Sequence, residues 1–215
     1  MKNILQPDGI RLMIDIVPAF VTPIAIGQCE DVDMISAIEK LAYKHLGHKG
    51  NVSGHQVEFI NNTKSKFNEE LSKETILKKF TDFIQPHVNG FADVLNIKTP
   101  RKVDLTAAWI NVNKPGDYAP EHSHVTSNFS VVFFIKGDEN KELGNLVLKS
   151  PDVRMEFNDL YLKQSNSNNL NSFGYFYKPK PGRFIIFPAH IKHEVEQNQS
   201  DDDRISIAMD YKIYV

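Results

Sequence analysis

Apolar residues recur along the chain with two periods, and the change from one to the other falls near residue 103. Before it, Val32, Ile35, Ile38, Leu41 and Ala42 follow the three-and-four spacing of a helix face. Asp31 or Asp33 is placed to cap that helix, and Gly47 and Gly50 to end it. Ile76, Leu77, Phe80, Phe83, Ile84, Val88 and Phe91 form a second stripe, which Ser72 could cap. Pro86 lies inside the stripe and predicts a kink or a break, because proline lacks the amide hydrogen and crowds the preceding turn. Both stripes read as packing surfaces rather than grooves. Phe20 to Ile26 reads as a short strand interrupted by Pro23, which suits a sheet edge.

From residue 103 onward the period is two. Val103 to Asn113, Phe129 to Lys136, Leu143 to Lys149, Gly174 to Tyr177, Arg183 to Phe187, His193 to Gln197 and Arg204 to Val215 read as strands. Lys114-Pro115-Gly116-Asp117, Lys136-Gly137-Asp138, Lys178 to Gly182 and Ser200 to Asp203 are the turns between them. Many short strands at fairly even spacing predict a sandwich, jelly roll or barrel. The fold class is therefore mainly β with N-terminal helices. We expect one domain over residues 1–215, with 1–100 as a helical support region carrying a short N-terminal strand and 101–215 as the β core. Asp159 to Ser172 is rich in Asn and Ser and poorly periodic, and reads as a mobile loop, either a substrate lid or a tolerated insertion.

Composition narrows the chemistry. The 215 residues are 41% hydrophobic and 24% charged with a net charge of −2, an ordinary globular balance that gives no broad electrostatic grip on nucleic acid. Cys29 is the only cysteine, so no intrachain disulfide or thiolate cluster can form. A metal site would have to use His, Asp or Glu. No basic-then-apolar leader pattern and no run of membrane-spanning length is apparent, so the expected address is the cytoplasm, with no membrane partner.

His122 and His124 are separated by one residue, and in an extended segment such residues point to the same face. His193 begins a later strand about seventy residues on. A His-x-His pair alone is weak, since two nearby surface histidines are common. Arg204 adds a second kind of information. In Arg204 to Asp210 alternation is strict, placing Ile205, Ile207 and Met209 on one face and Arg204, Ser206 and Ala208 on the other. A guanidinium beside a hydroxyl makes a carboxylate receptor, because Arg offers two parallel charge-assisted hydrogen bonds and Ser a third. An exposed strand with an ordinary surface Arg is the plainer alternative.

Gly116-Asp117-Tyr118-Ala119-Pro120-Glu121-His122-Ser123-His124, followed by Ser127 to Phe134, resembles the first metal strand of the 2-oxoglutarate/iron(II) oxygenases, in particular a small bacterial and phage group of them. Pro181 to Pro188, His193 and Arg204-Ile205-Ser206 are similar to the second half of that pattern. The likeness spans roughly residues 105 to 211. It implies a double-stranded β-helix, a jelly roll with iron near its mouth, and Fe(II), 2-oxoglutarate and O2 as cofactor and co-substrates. His122 and His193 would match the family histidines, and Arg204, with Ser206 beside it, would anchor the distal carboxylate of 2-oxoglutarate. The activity implied is oxidation of an unidentified substrate, hydroxylation in the first instance, with decarboxylation of 2-oxoglutarate to succinate.

The sequence departs from the wider pattern at one point. Asp or Glu is usual two residues after the first His, and here His124 stands there, as it does in the narrower group. His124 is the expected third ligand on side alternation, with Glu121 or water as alternatives. His190 and Asn111 are further candidates for the pocket or its surround; either could equally be solvated or locally satisfied. Two other readings use the same residues. A cupin would share Gly116, His122-x-His124, Gly182 and His193, but would supply a Glu shortly after the pair, where Val125 to Ser130 has no carboxylate, and would leave Arg204 unused. A non-catalytic jelly-roll binding module would leave the histidines without a role.

Overall fold

The computed structural model describes residues 2–5, 11–14, 21–46, 54–61, 69–152 and 172–215; for 2–5 and 11–14 only the strands are described. The loop expected from Asp159 to Ser172 lies outside the described residues except for Ser172. The N-terminal elements are β1 (Lys2–Leu5), β2 (Arg11–Ile14), β3 (Ala25–Gln28), α1 (Val32–Lys44), β4 (His55–Asn61), α2 (Glu69–Ser72) and α3 (Thr75–Val94). Eight strands follow: β5 (Lys102–Asn113), β6 (Ala119–His122), β7 (Phe129–Lys136), β8 (Leu146–Lys149), β9 (Gly174–Tyr177), β10 (Arg183–Pro188), β11 (His193–Val195) and β12 (Arg204–Tyr214).

The larger sheet runs β3-β10-β7-β12-β5-β4 and the smaller β6-β11-β8-β9, all pairs antiparallel. From β5 to β12 the chain passes back and forth between the two sheets, and so winds them into a double-stranded β-helix. The apolar runs of β7 and β10 are unbroken because both faces of these strands are covered. Phe129, Val131, Phe133, Phe184 and Ile186 pack with the helices, while Phe134, Ile185 and Phe187 pack with Leu146, Leu148 and Tyr177 of the smaller sheet. On β12 the pattern is different. Ile205, Ile207 and Met209 join the helix-side core, but Arg204 and Ser206 turn inward between the sheets. The interior of the sandwich therefore changes from apolar to polar where β12 meets β5.

Several sequence expectations need correction. The first hundred residues are not only a helical support, because β3 and β4 form the two edges of the larger sheet. β4 was missed although His55-Gln56-Val57-Glu58-Phe59 alternates, with Phe59 buried. Pro86 does not break α3, which runs through it for 20 residues. It sits on the exposed face, where water can serve the carbonyl that its missing amide leaves free. Ser72 closes the single turn of α2 and does not cap α3, whose N-cap position is Glu74 and has no side-chain bond. Packing holds that helix instead. Asp31 does cap α1, accepting from the Met34 amide at 2.9 Å. Among the described residues no helix is long and apolar enough to cross a membrane.

Phe80 is the main rivet between α3 and the sheet. It is fully buried and meets Phe133 edge-on at 5.0 Å between ring centroids. Phe80→Ala should destabilise the protein by about 3–5 kcal/mol through lost transfer energy and the cavity left behind. A urea titration followed by circular dichroism measures it, and a change below about 1 kcal/mol would show that α3 is not anchored there.

Candidate active site

His122 ends β6, His193 begins β11, and the two are register partners across the ladder. His124 lies just beyond β6. Its amide donates to the Ala189 carbonyl at 2.8 Å, which ties it to the turn leading into His193. The three rings converge: centroids are 4.3 Å apart for His122 and His193, and 5.2 Å for each of the other pairs. One ring nitrogen from each lies within 4.8 Å of the others. Every Nδ1 is already engaged away from this centre, with the Pro120 carbonyl at 2.7 Å from His122, the Ile191 carbonyl at 3.0 Å from His193, and the Asp210 carboxylate at 2.7 Å from His124. These oxygens accept, so Nδ1 is the donor in each ring and Nε2 is the nitrogen left to face the centre. Three preset Nε2 donors make a site that could hold a transition-metal ion. Trp109 stacks on His124 at 5.6 Å with planes 6° apart, and Phe187 meets His193 edge-on.

His193 is only 5% exposed, and burial is the main cause that pushes its pKa down to about 4. The bond to the Ile191 carbonyl opposes this, and the neighbouring His122 and His124 add to it. The ring is therefore neutral, as a metal ligand must be.

On the same cavity wall, Arg204 is 2% exposed. It donates from Nη1 to the Gly144 carbonyl at 3.0 Å and from Nη2 to Asn113 Oδ1 at 2.8 Å. Its Nε is buried with no hydrogen-bond partner, and the charge of Asp117 acts on it only at longer range than an ion pair. Burial pushes its pKa down to about 10, so it remains a cation near neutrality. A buried cation with two neutral acceptors and an idle donor has the chemistry to receive an anion. Gly144 helps to place the guanidinium. Its φ is +82°, and a Cβ there would stand 2.1 Å from the Glu196 carbonyl oxygen, so glycine alone can present that carbonyl to Arg204.

Ser206, two residues along β12, lines the same cavity, and so does its register partner Asn111, whose Oδ1 accepts from Gln56 at 2.9 Å. Two expected neighbours do not. Glu121 points outward to an ion pair with Lys192 at 2.9 Å, because a regular strand sends it to the face opposite His122. His190 is exposed on the turn before β11. Sequence reasoning missed Asp210, Ser130, Gln56 and Asn113. The strict alternation of β12 carried a signal for Asp210, which falls on the face of Arg204, Ser206 and Ala208.

Residues 107–210, which contain all of these groups except Gln56, match a family model described as "Putative 2OG-Fe(II) oxygenase". Residues 107–210 are a domain of the 2OG-Fe(II) oxygenase family. Solved structures agree on the fold. An oxidoreductase of the 2OG-Fe(II) oxygenase family from Burkholderia pseudomallei superposes with a TM-score of 0.62 at 14% identity, covering 88% of this chain and 84% of the other. A Pseudomonas putida prolyl-4-hydroxylase gives 0.62 at 12% identity, covering 89% and 93%. The viral collagen prolyl hydroxylase of Paramecium Bursaria Chlorella virus-1, in complex with 2OG, gives 0.58 at 13%, covering 89% and 96%. No curated protein matches the chain. The oxygenase uses Fe(II), 2-oxoglutarate and O2.

The buried neutral His193 has a consequence for the metal-free oxygenase. Its folded pKa of about 4 lies below the ordinary 6.5, so the unfolded chain takes up the proton first as pH falls. Its contribution to stability is complete above pH 6.5 and is lost as pH drops towards 4. Chelator-treated protein should therefore lose stability across that window, and His193→Gln should flatten the slope. Denaturant midpoints measured from pH 7 to 4 give the answer, and equal slopes in both proteins would contradict it.

Proposed function

We propose that His122, His124 and His193 together hold the iron(II), and that Arg204, with Ser206, receives the distal carboxylate of 2-oxoglutarate. The observation that carries this reading is the buried guanidinium of Arg204, its Nε without a partner, on the wall of the cavity that the three histidines also line. A cupin or a plain binding module has no use for it.

The residues fit both groups. The donor set is three neutral imidazoles with their Nδ1 positions occupied from outside, which suits a ferrous ion. The idle Nε of Arg204 suits an anion. Iron bound there would supply activation of dioxygen coupled to loss of carbon dioxide from 2-oxoglutarate. The chain's own work is orientation and exclusion of water. Arg204 grips one end of the co-substrate by charge and shape, and Ser206 adds a hydroxyl beside it. Val132, Leu146, Phe187 and Val195 keep the adjoining wall dry. Trp109 holds His124 in plane. His122 is the most open of the three histidines, so the substrate, small molecule or macromolecular side chain, approaches from its side. The cytoplasm suits this chemistry, because a reducing compartment keeps iron ferrous and leaves the buried Cys29 as a thiol.

Anaerobic titration of the protein with iron(II) and 2-oxoglutarate should develop the charge-transfer band of the chelated complex. His193→Ala should abolish iron binding, and full retention would refute the ligand set. Arg204→Ala should weaken 2-oxoglutarate roughly 30-fold or more, since removing one partner of a desolvated charge pair costs about 2–5 kcal/mol. Iron affinity in that variant should hardly change. Arg204→Lys should recover only part of the loss, because an ammonium lacks the two-pronged geometry. Unaltered 2-oxoglutarate affinity in Arg204→Ala would remove the receptor assignment.

A further inference from the structure

We propose that Asp210 supplies, through His124, the negative charge that a three-histidine centre lacks, and so acts as the positioning residue of the metal site. The inference rests on the reading of His122, His124 and His193 as the ligands. Three neutral imidazoles bring no charge to the ion, whereas two histidines and a carboxylate bring one. Asp210 restores that charge one layer back. Its Oδ2 lies 2.7 Å from His124 Nδ1, and its Oδ1 accepts from Ser130 Oγ at 2.8 Å. Both oxygens are engaged, so the side chain is fixed behind the ring rather than free to reach the centre. Asp210 is 8% exposed, and among the described residues its only ion-pair partner is His124. A buried carboxylate with no permanent cation beside it is costly unless a charge is met nearby. An ion on the far side of the His124 ring would meet it.

The three ligands are not equivalent in this respect. His122 and His193 donate to neutral backbone carbonyls, and only His124 donates to a carboxylate. His124 is also the residue standing where the wider family places its acidic ligand. The carboxylate has in effect moved outward along one line, from the ligand to the group behind it, and Trp109 stacked on the ring keeps that line straight. A carboxylate in this position raises the basicity of the imidazole and fixes its tautomer.

This arrangement predicts an unexpected behaviour of the substitution that looks most conservative. His124→Asp restores the commoner ligand set but leaves two buried carboxylates side by side, and like charges at that range repel. It should bind iron well only when Asp210 is neutralised as well.

The test uses the full chain and anaerobic iron(II) titrations of the wild type, Asp210→Asn, His124→Asp, the double variant His124→Asp/Asp210→Asn, and His193→Ala. Asp210→Asn keeps an acceptor for His124 and turns an amide N–H towards Ser130, whose hydroxyl can accept it, while removing the charge. It should bind iron about 10- to 100-fold more weakly. The charge-transfer band of its iron–2-oxoglutarate complex should shift to higher energy, and the metal-free melting temperature should stay near the wild-type value. The double variant should bind iron at least tenfold more tightly than His124→Asp alone. Wild-type iron affinity with an unshifted band in Asp210→Asn would overturn the proposal, as would a His124→Asp protein that binds as well as the double variant. If His193→Ala also keeps its iron, the ligand reading falls first and this proposal with it. If His193→Ala loses iron while Asp210→Asn does not, only the role of Asp210 is refuted.

Discussion

The ladder that locks β12 between β5 and β7 is the constraint on which the rest of the site depends. β12 is paired along its whole length with β5 and along most of it with β7. Side chains alternate across a sheet, so slipping this strand by one residue would turn Arg204, Ser206 and Asp210 into the helix-side core and bring Ile205, Ile207 and Met209 into the cavity. The buried apolar set on one face therefore pins the polar set on the other. The helices contribute from the other side: residues of α1 and α3 share one core with Ile205, Ile207 and Met209, the face that fixes the register.

Arg204 and Asp210 lie six residues apart on that row, roughly 20 Å of extended strand. They are too far apart to neutralise one another, so each buried charge needs a partner of its own. The cation has two carbonyl oxygens and an idle donor; the anion has a serine and an imidazole. The strand thus carries opposite electrostatic demands at its two ends. In the proposed site a carboxylate of 2-oxoglutarate answers the cation and the iron held by the histidines answers the anion, without any change in the fold.

The smaller sheet brings the second half of the site to this strand. His122 and His193 come from segments about seventy residues apart in sequence and meet as direct partners because β6 and β11 pair. The antiparallel ladder fixes the backbone, and the carbonyls of Pro120 and Ile191, each two residues before its histidine, fix the rings. Local geometry orients each histidine, and the sheet only has to bring them together.

Much of this was legible in the sequence. His-x-His in an extended segment, a third His at a strand start and the alternation of Arg204 with Ser206 follow from a period of two, a property of neighbouring residues. The helix stripes and the strand boundaries of the core belong to the same class. What the linear pattern did not yield were relations across strands. Asp210 sits 86 residues from the His124 that it meets, Gln56 lies 55 from Asn111, and β4 pairs with β5, which begins about forty residues after β4 ends. Glu121 stands next to His122 in sequence and faces solvent and Lys192. The sequence by itself determined which residues share a strand face, because alternation is local. Only the tertiary structure decided which faces meet, because that depends on the order in which two sheets are laid together.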